Sequence, residues 1–479
     1  MLPLFLFTFV ALVAGYVVRD GNDCHLYPEE SLPGAGPMDD VPSIYEAFSQ
    51  CGHSGRVIFE EGTFHVNQVL NTTGLKDCDV ILKGELLFSA DIPYWLANSL
   101  WVVYQNQHTA WLFGGENVRF IGQGGSFNGN GQAWYTQNQN RANQPGRPIA
   151  ITFYNSKNLV VDGLSFIQPQ FWVTLIWESE DVTMRNIYVS AHSDDHNGCV
   201  NTDGGNTWNS RRVTFENWFV RNGDDCIAVK GNSSDIYVRN VTCVSGNGMT
   251  IGSVGEYPKF PDYVENVLFE DITIRDTMQA AYIKTWQGQP ADHSGNGAGG
   301  GGGAGIVRNV TFRNFDVENS ALPIQISQCI YTEDGQNCDS SRMQISEITW
   351  ENFKGTSRYN IASSIHCAAG HPCPDIYFKN VDIKSINETR GLPLTHTDLR
   401  YEVYQCANIV NQNTTSGIKC NLWAPNNFSQ LVHRNVASHG YRETDSPRKR
   451  AKFALRVFHK VADVVQEVKH MLIAPFIRT

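Results

Sequence analysis

The sequence predicts an all-β, single-domain parallel β-helix, and three observations predict it. A six-residue pattern of apolar, any, apolar, charged, Asn or Asp, apolar recurs through the middle of the chain. It reads Val182-Thr-Met-Arg-Asn-Ile187, Val213-Thr-Phe-Glu-Asn-Trp218, Ile236-Tyr-Val-Arg-Asn-Val241 and Val267-Leu-Phe-Glu-Asp-Ile272. It returns as Val310-Thr-Phe-Arg-Asn-Phe315, Ile348-Thr-Trp-Glu-Asn-Phe353 and Ile376-Tyr-Phe-Lys-Asn-Val381, with looser copies from Val118 and Leu159. The copies are mostly 22 to 31 residues apart, which is one turn of a β-solenoid with variable loops. Within each copy the alternation is a strand, and the Asn or Asp is a bend, because these side chains tolerate left-handed backbone and bond their own main chain. A β-sandwich also has many short strands but would not repeat this bend at this spacing. Third, charged residues make up only 18% of the chain while Gly is abundant, the balance of an all-β protein.

Taken in order, residues 1–15 (MLPLFLFTFVALVAG) carry an apolar run too short to span a membrane, followed by small residues. We read a signal peptide, although no basic residue precedes the run; a buried strand is the alternative. A Pro/Gly-rich loop follows, then a short helix over Ser43–Gln50, placed to cap the open end of the coil. The coil itself fills residues 16–437. Gly295–Gly305 is nearly all Gly and Ala and reads as a flexible insertion between turns. A phosphate-binding loop would need a Gly-Lys-Ser/Thr after it, which is missing. Residues 438–479 lose the β pattern. They hold a basic run (Arg448, Lys449, Arg450, Lys452) and then apolar residues at helical spacing from Phe453 to Leu472. This tail caps the coil, touches a membrane surface, or is foreign to the fold; we expect no catalytic role for it.

The formal charge of −11 argues against nucleic acid and anionic membranes as partners, while leaving room for a local basic cleft. Twelve cysteines and seven sequons, at Asn71, Asn232, Asn240, Asn309, Asn387, Asn413 and Asn427, agree with secretion to the cell exterior. Close pairs suggest the bridges Cys226–Cys243, Cys329–Cys338, Cys367–Cys373 and Cys406–Cys420, with Cys24–Cys51 also plausible; Cys78 and Cys199 are left over.

The chemistry concentrates in Asn201-Thr-Asp-Gly204 and Gly223-Asp-Asp-Cys-Ile-Ala-Val-Lys230. About one turn separates the two motifs, so Asp203, Asp224 and Asp225 meet on one face. Close carboxylates repel, so at least one holds its proton to higher pH than a free Asp. A protonated acid beside an ionised base is what glycosidic hydrolysis needs. Turn chemistry or a calcium site would explain either motif alone.

These motifs, with Gly246-Asn-Gly248, Ile251-Gly-Ser-Val254 and Ile283-Lys-Thr285, resemble the fungal pectin hydrolases of glycoside hydrolase family 28, the polygalacturonase, exopolygalacturonase and rhamnogalacturonan hydrolase group. The resemblance runs from about residue 40 to 425, and Gly129-Asn-Gly-Gln-Ala-Trp134 resembles the family's Gly-rich turn. It implies a right-handed coil with an open cleft and hydrolysis of α-linkages with inversion, without metal or organic cofactor. Asp224 would be the general acid; Asp203 and Asp225 would activate water. Inversion calls for an acid and base roughly 6.5–9.5 Å apart. Lys284 matches the substrate-binding Lys, a point charge suited to a uronate, and Tyr331 lies near the family's ring under the sugar. Asn201 and Asn247 complete the binding set. Two departures stand out: the family's Gly-His-Gly is Gly246-Asn247-Gly248, and the Arg two residues before the Lys is Tyr282. Neutral Asn and Tyr suit a less charged sugar. The resulting expectation is a secreted, monomeric, exo-acting galacturan 1,4-α-galacturonidase acting on pectic chains. The alternatives are a rhamnogalacturonan-directed hydrolase or α-L-rhamnosidase on the same fold, a non-catalytic carbohydrate-binding solenoid, and a calcium-dependent lyase.

Overall fold

In a computed structural model the chain is described at residues 15–29, 38–141, 144–290, 300–330, 337–386, 402–411 and 416–423. It is a right-handed parallel β-helix. The long strands stack in register turn upon turn: Leu159 pairs with Val182, Val182 with Val213, Val213 with Ile236, Ile236 with Val267, Val267 with Val310, Val310 with Ile348 and Ile348 with Ile376. Every first residue of the sequence repeat therefore sits on the first residue of the next copy. The bend predicted at the fifth position is present, with φ near 50–60° at Asn186, Asn217, Asn240, Asp271, Asn314, Asn352 and Asn380.

The bending side chains also bond to one another. Asn217 Nδ2 donates to Asn186 Oδ1 (3.2 Å), Asn240 to Asn217 (2.7 Å), Asn352 to Asn314 (3.0 Å) and Asn380 to Asn352 (2.9 Å). This ladder explains why Asn prevails at the bend: an amide both donates and accepts, so each copy satisfies the next. Two sequon residues belong to such ladders, Asn240 here and Asn309, whose Nδ2 donates to Asn266 Oδ1 (2.8 Å). Asn71, Asn240 and Asn309 are exposed and Asn232 is half-buried; Asn387, Asn413 and Asn427 lie outside the described residues.

Alternation sends Val182, Met184, Val213, Phe215, Val238 and Phe269 into one continuous core. Aromatic rings stack along it, Phe269 on Phe312 (5.0 Å) and Phe312 on Trp350 (5.6 Å). The helix is observed at Val41–Cys51, with Phe48 edge-on to Trp111 (6.0 Å) and the Cys24–Cys51 bridge fastening it to the first turn. All five expected disulfides are present, and Cys78 and Cys199 are free and buried. Two further helices, Ile92–Asn98 and Gly131–Asn138, escape the sequence reading, the second because it hides in what reads as a Gly-rich turn.

The Gly/Ala stretch corrects one expectation. Of its described part, residues 300–305, Gly300–Gly303 is buried wall, not a loose insertion. Gly301 N donates to Glu256 O, Gly302 N to Gln287 O and Gly303 N to Gly255 O. A Cβ at Gly303 would stand 2.6 Å from the Gly255 backbone and one at Gly301 2.5 Å from Gln289 O, so the stretch is glycine because backbone packs on backbone there. The N-terminal apolar run and the 438–479 tail lie outside the described residues.

Candidate active site

One face of the coil is built from short strands, among them Thr174–Trp177, Gly205–Trp208, Ile227–Val229, Met249–Val254, Gln279–Thr285 and Leu322–Ser327. Asp203 precedes the second of these and Asp224-Asp225 the third. Adjacent turns bring the two motifs together: Gly204 N donates to Asp225 O (3.0 Å) and Asn247 N to Asp224 O (2.8 Å). One oxygen from each of Asp203, Asp224 and Asp225 lies within 4.8 Å of the others. That is closer than the sequence reading expects for acid and base. Asp203 and Asp225 lie at the same height on neighbouring turns, which accounts for their closeness, since neighbouring strands are about 4.8 Å apart.

The three acids differ in their surroundings. Asp203 and Asp225 are 2% and 1% exposed, and Asp224 is half-buried. Asp225 accepts at both oxygens, from Thr250 Oγ1 (2.8 Å) and from Lys284 Nζ (2.9 Å). Asp203 lies 3.7 Å from Lys230 Nζ through Oδ2, while its Oδ1 is buried without a hydrogen-bond partner. Asp224 accepts only from neutral donors: Asn247 Nδ2 (3.0 Å), Asn201 Nδ2 (3.4 Å) and the Asp225 amide (2.8 Å). Burial, and next the charge of Asp224, push the Asp203 carboxyl well above the usual carboxylate range. Burial, and next the charge of Asp225, also raise Asp224. The cluster therefore retains a proton where isolated carboxyls would have lost theirs.

Of the residues expected to bind substrate, Asn201, Asn247 and Lys284 lie against the acids. Tyr282 stands on the outward row between Thr250 and Gln325, its ring 5.4 Å from Lys284 Nζ. Tyr331 lies outside the described residues. Three participants escape the sequence reading. Thr250 and Lys230 sit at outward positions between or beyond core residues (Met249 and Ile251; Val229), so strand alternation is the signal that could have found them. Arg147 is fully buried; it donates to Gln170 O (2.5 Å) and Val200 O (3.0 Å), fixing the loop that leads into Asn201. Nothing in its Pro/Gly-rich neighbourhood points to this.

At the far ends of the short strands, from Trp208 to Ser253, a strap folds across the outward face. It comprises Leu100–Val102 and Tyr104–Asn106. The Tyr104 ring lies 4.8 Å from Trp208, which stacks on Trp177 (5.6 Å), which meets Tyr154 (4.3 Å). The strap is tied down at its tip: Tyr104 OH donates to Ser253 O (3.1 Å), Gln105 Nε2 to Glu256 Oε2 (2.8 Å), and Tyr257 OH accepts from the Gln105 amide (2.9 Å).

Comparison with known proteins bears on the family and the fold. The model of the Glycosyl hydrolases family 28 matches residues 52–397. An α-L-rhamnosidase of Aspergillus niger is 40% identical over 390 residues, 81% of this chain and 88% of the relative. An exopolygalacturonase of Cochliobolus carbonum is 36% identical over 360 residues, 74% of this chain and 80% of the relative. Among solved structures, the endo-xylogalacturonan hydrolase of Aspergillus tubingensis superposes with a TM-score of 0.65 at 26% identity, covering 84% of this chain and 99% of that one.

Proposed function

The chain belongs to glycosyl hydrolases family 28, a family of pectin hydrolases, and is a glycoside hydrolase; from that premise we propose that it removes the terminal sugar of pectic chains, with inversion, outside the cell. The observation that carries this reading is the buried three-carboxylate cluster at the edge of a strapped face. Asp224 alone of the three is half-exposed and is bound by neutral donors, so it protonates the leaving oxygen. Asp203 and Asp225 hold the attacking water. A water donating both protons to two carboxylates, with bonds of about 2.8 Å, spans oxygens about 4.4 Å apart. The 4.8 Å cluster is thus of the size to grip a water between two bases, which supports inversion despite the short acid–base separation.

Sequence alone ranks galacturonate first as the released sugar; the geometry favours rhamnose. The groups that bind Asp224 are the neutral amides of Asn201 and Asn247, with Tyr282 in the outward row beside Thr250. The Lys284 ammonium is committed to Asp225. A sugar without a carboxylate fits these surroundings, and the 40% identical relative is an α-L-rhamnosidase. The second reading, terminal galacturonate with Lys284 as its anchor, is supported by the similarity to an exopolygalacturonase. We read the protein as a secreted monomer.

Two lysines already supply cationic charge to the carboxylates, so the reading uses no metal in catalysis. The test is Asp224→Asn. Turnover of rhamnogalacturonan and polygalacturonan oligosaccharides should fall by about 10²–10⁴-fold while calorimetry still detects binding. In the same wild-type reactions, proton NMR at early times should show the product anomer opposite in configuration to the substrate. Full activity in Asp224→Asn, or a retained anomer, contradicts the mechanism.

A further inference from the structure

We propose that Lys230 is a positioning residue of the catalytic machinery, whose buried ammonium fixes Asp203 in place and in its charged form as a base. The inference rests on the reading of Asp203 as a water-activating carboxylate. It begins with strand alternation. Beyond Asp225, Ile227 and Val229 enter the core, so Lys230 emerges on the outward face beside the acids. It is 3% exposed, and its Nζ lies 3.7 Å from Asp203 Oδ2, 4.5 Å over the Trp172 ring and 3.4 Å from Gly252 O. Those contacts hold the ammonium on three sides, with the Asp203 carboxylate as the nearest negative charge.

The pairing of lysines divides the three acids. Asp203 has Lys230, Asp225 has Lys284, and Asp224 has amides. An ammonium favours the ionised form of the carboxylate it faces, so Lys230 opposes the rise that burial imposes on Asp203. The two carboxylates read as bases are the two that hold a lysine. The strand between the lysines carries Gly252, which pairs with Lys284; its φ of 111° and a backbone oxygen of Lys284 2.2 Å from where a Cβ would stand call for glycine.

The groups facing Asp203 are Asp224, Lys230, Asp225 and Lys284. Burial raises the Asp203 carboxyl and Lys230 opposes that rise. Burial in turn lowers the Lys230 ammonium, which the charge of Asp203 opposes. Loss of the lysine charge leaves Asp203 harder to ionise, so catalysis needs a higher pH.

The experiment compares wild type with Lys230→Met and Lys230→Gln. One readout is the pH profile of kcat/KM on the chain-end oligosaccharide that wild type turns over. The other is the ¹³C titration of labelled Asp carboxyls, assigned by Asp203→Asn. The proposal expects the acidic limb and the Asp203 titration to move up together by about 1–3 pH units, with kcat lowered and KM little changed. A variant profile parallel to wild type at reduced height, with Asp203 titrating where it does in wild type, overturns the proposal and leaves Lys230 a packing residue on Trp172. Should wild type turn over neither substrate, the proposed function falls. The carboxyl titration still decides the role of Lys230. Should the Met variant fail to fold, the Gln variant, which keeps a donor for Gly252 O, carries the same comparison.

Discussion

Asp224 shows how burial and a neighbouring charge prepare a carboxyl as an acid. Asn247 donates to its ionised form, while burial and Asp225 work the other way. Removing the donor in Asn247→Ala therefore raises the Asp224 carboxyl further. The group that must be protonated then stays so to higher pH, and the alkaline limb of kcat/KM should shift upward, with kcat down by roughly tenfold for one lost hydrogen bond. A downward shift would contradict the assignment of Asp224 as the acid. At this scale the sequence is legible where residues stand in compact motifs: Asp203, Asp224, Asp225, Asn201 and Asn247 all converge. Thr250, Lys230 and Arg147 are legible only through alternation or not at all, because their roles depend on which turn lies beside them.

Among the elements, the strap at 100–106 sets the form of the cleft. It packs Tyr104 on Trp208, at the end of the strand that Asp203 precedes, and bonds to Ser253 two turns on, so protein covers the outward face beside the acids. A chain end should reach the acids while a through-running chain is stopped. Replacing residues 100–106 with a short Gly-Ser link should let oligosaccharide products appear from polymeric substrate; monosaccharide alone would show that the strap does not enforce end-cleavage. Glu256 anchors the strap and is 1% exposed, with burial raising its carboxyl to about 7. A raised carboxyl stabilises the fold below the unfolded value near 4.5, and the gain is lost as pH rises through 7. Glu256→Gln should therefore be more stable than wild type at pH 8, by about 3 kcal/mol from a shift of about 2.5 units, and no more stable below pH 4.5. Equal melting temperatures at both pH values would refute the buried acid. No repeat announces the strap, since its contacts with Ser253 and Tyr257 span some 150 residues of sequence.

The whole molecule was the most legible level. A repeat needs no long-range inference, because each copy packs on the next, and the register follows the sequence pattern pair by pair. The disulfides were equally readable, because each closes a short local loop of 6 to 27 residues. The Gly300–Gly303 wall was misread because composition cannot tell backbone packed on backbone from backbone in solvent.

The central claim is removal of a terminal sugar by the Asp203, Asp224 and Asp225 cluster. Its most direct test is the time course of products from rhamnogalacturonan and from polygalacturonate, resolved by chromatography. The account predicts a single monosaccharide from the first time points, rhamnose from rhamnogalacturonan, insensitive to chelator and lost in Asp224→Asn. Free galacturonate from polygalacturonate instead would keep the mechanism and restore Lys284 as the carboxylate anchor. Early oligosaccharides, an unsaturated product, or no product from either polymer would contradict the account.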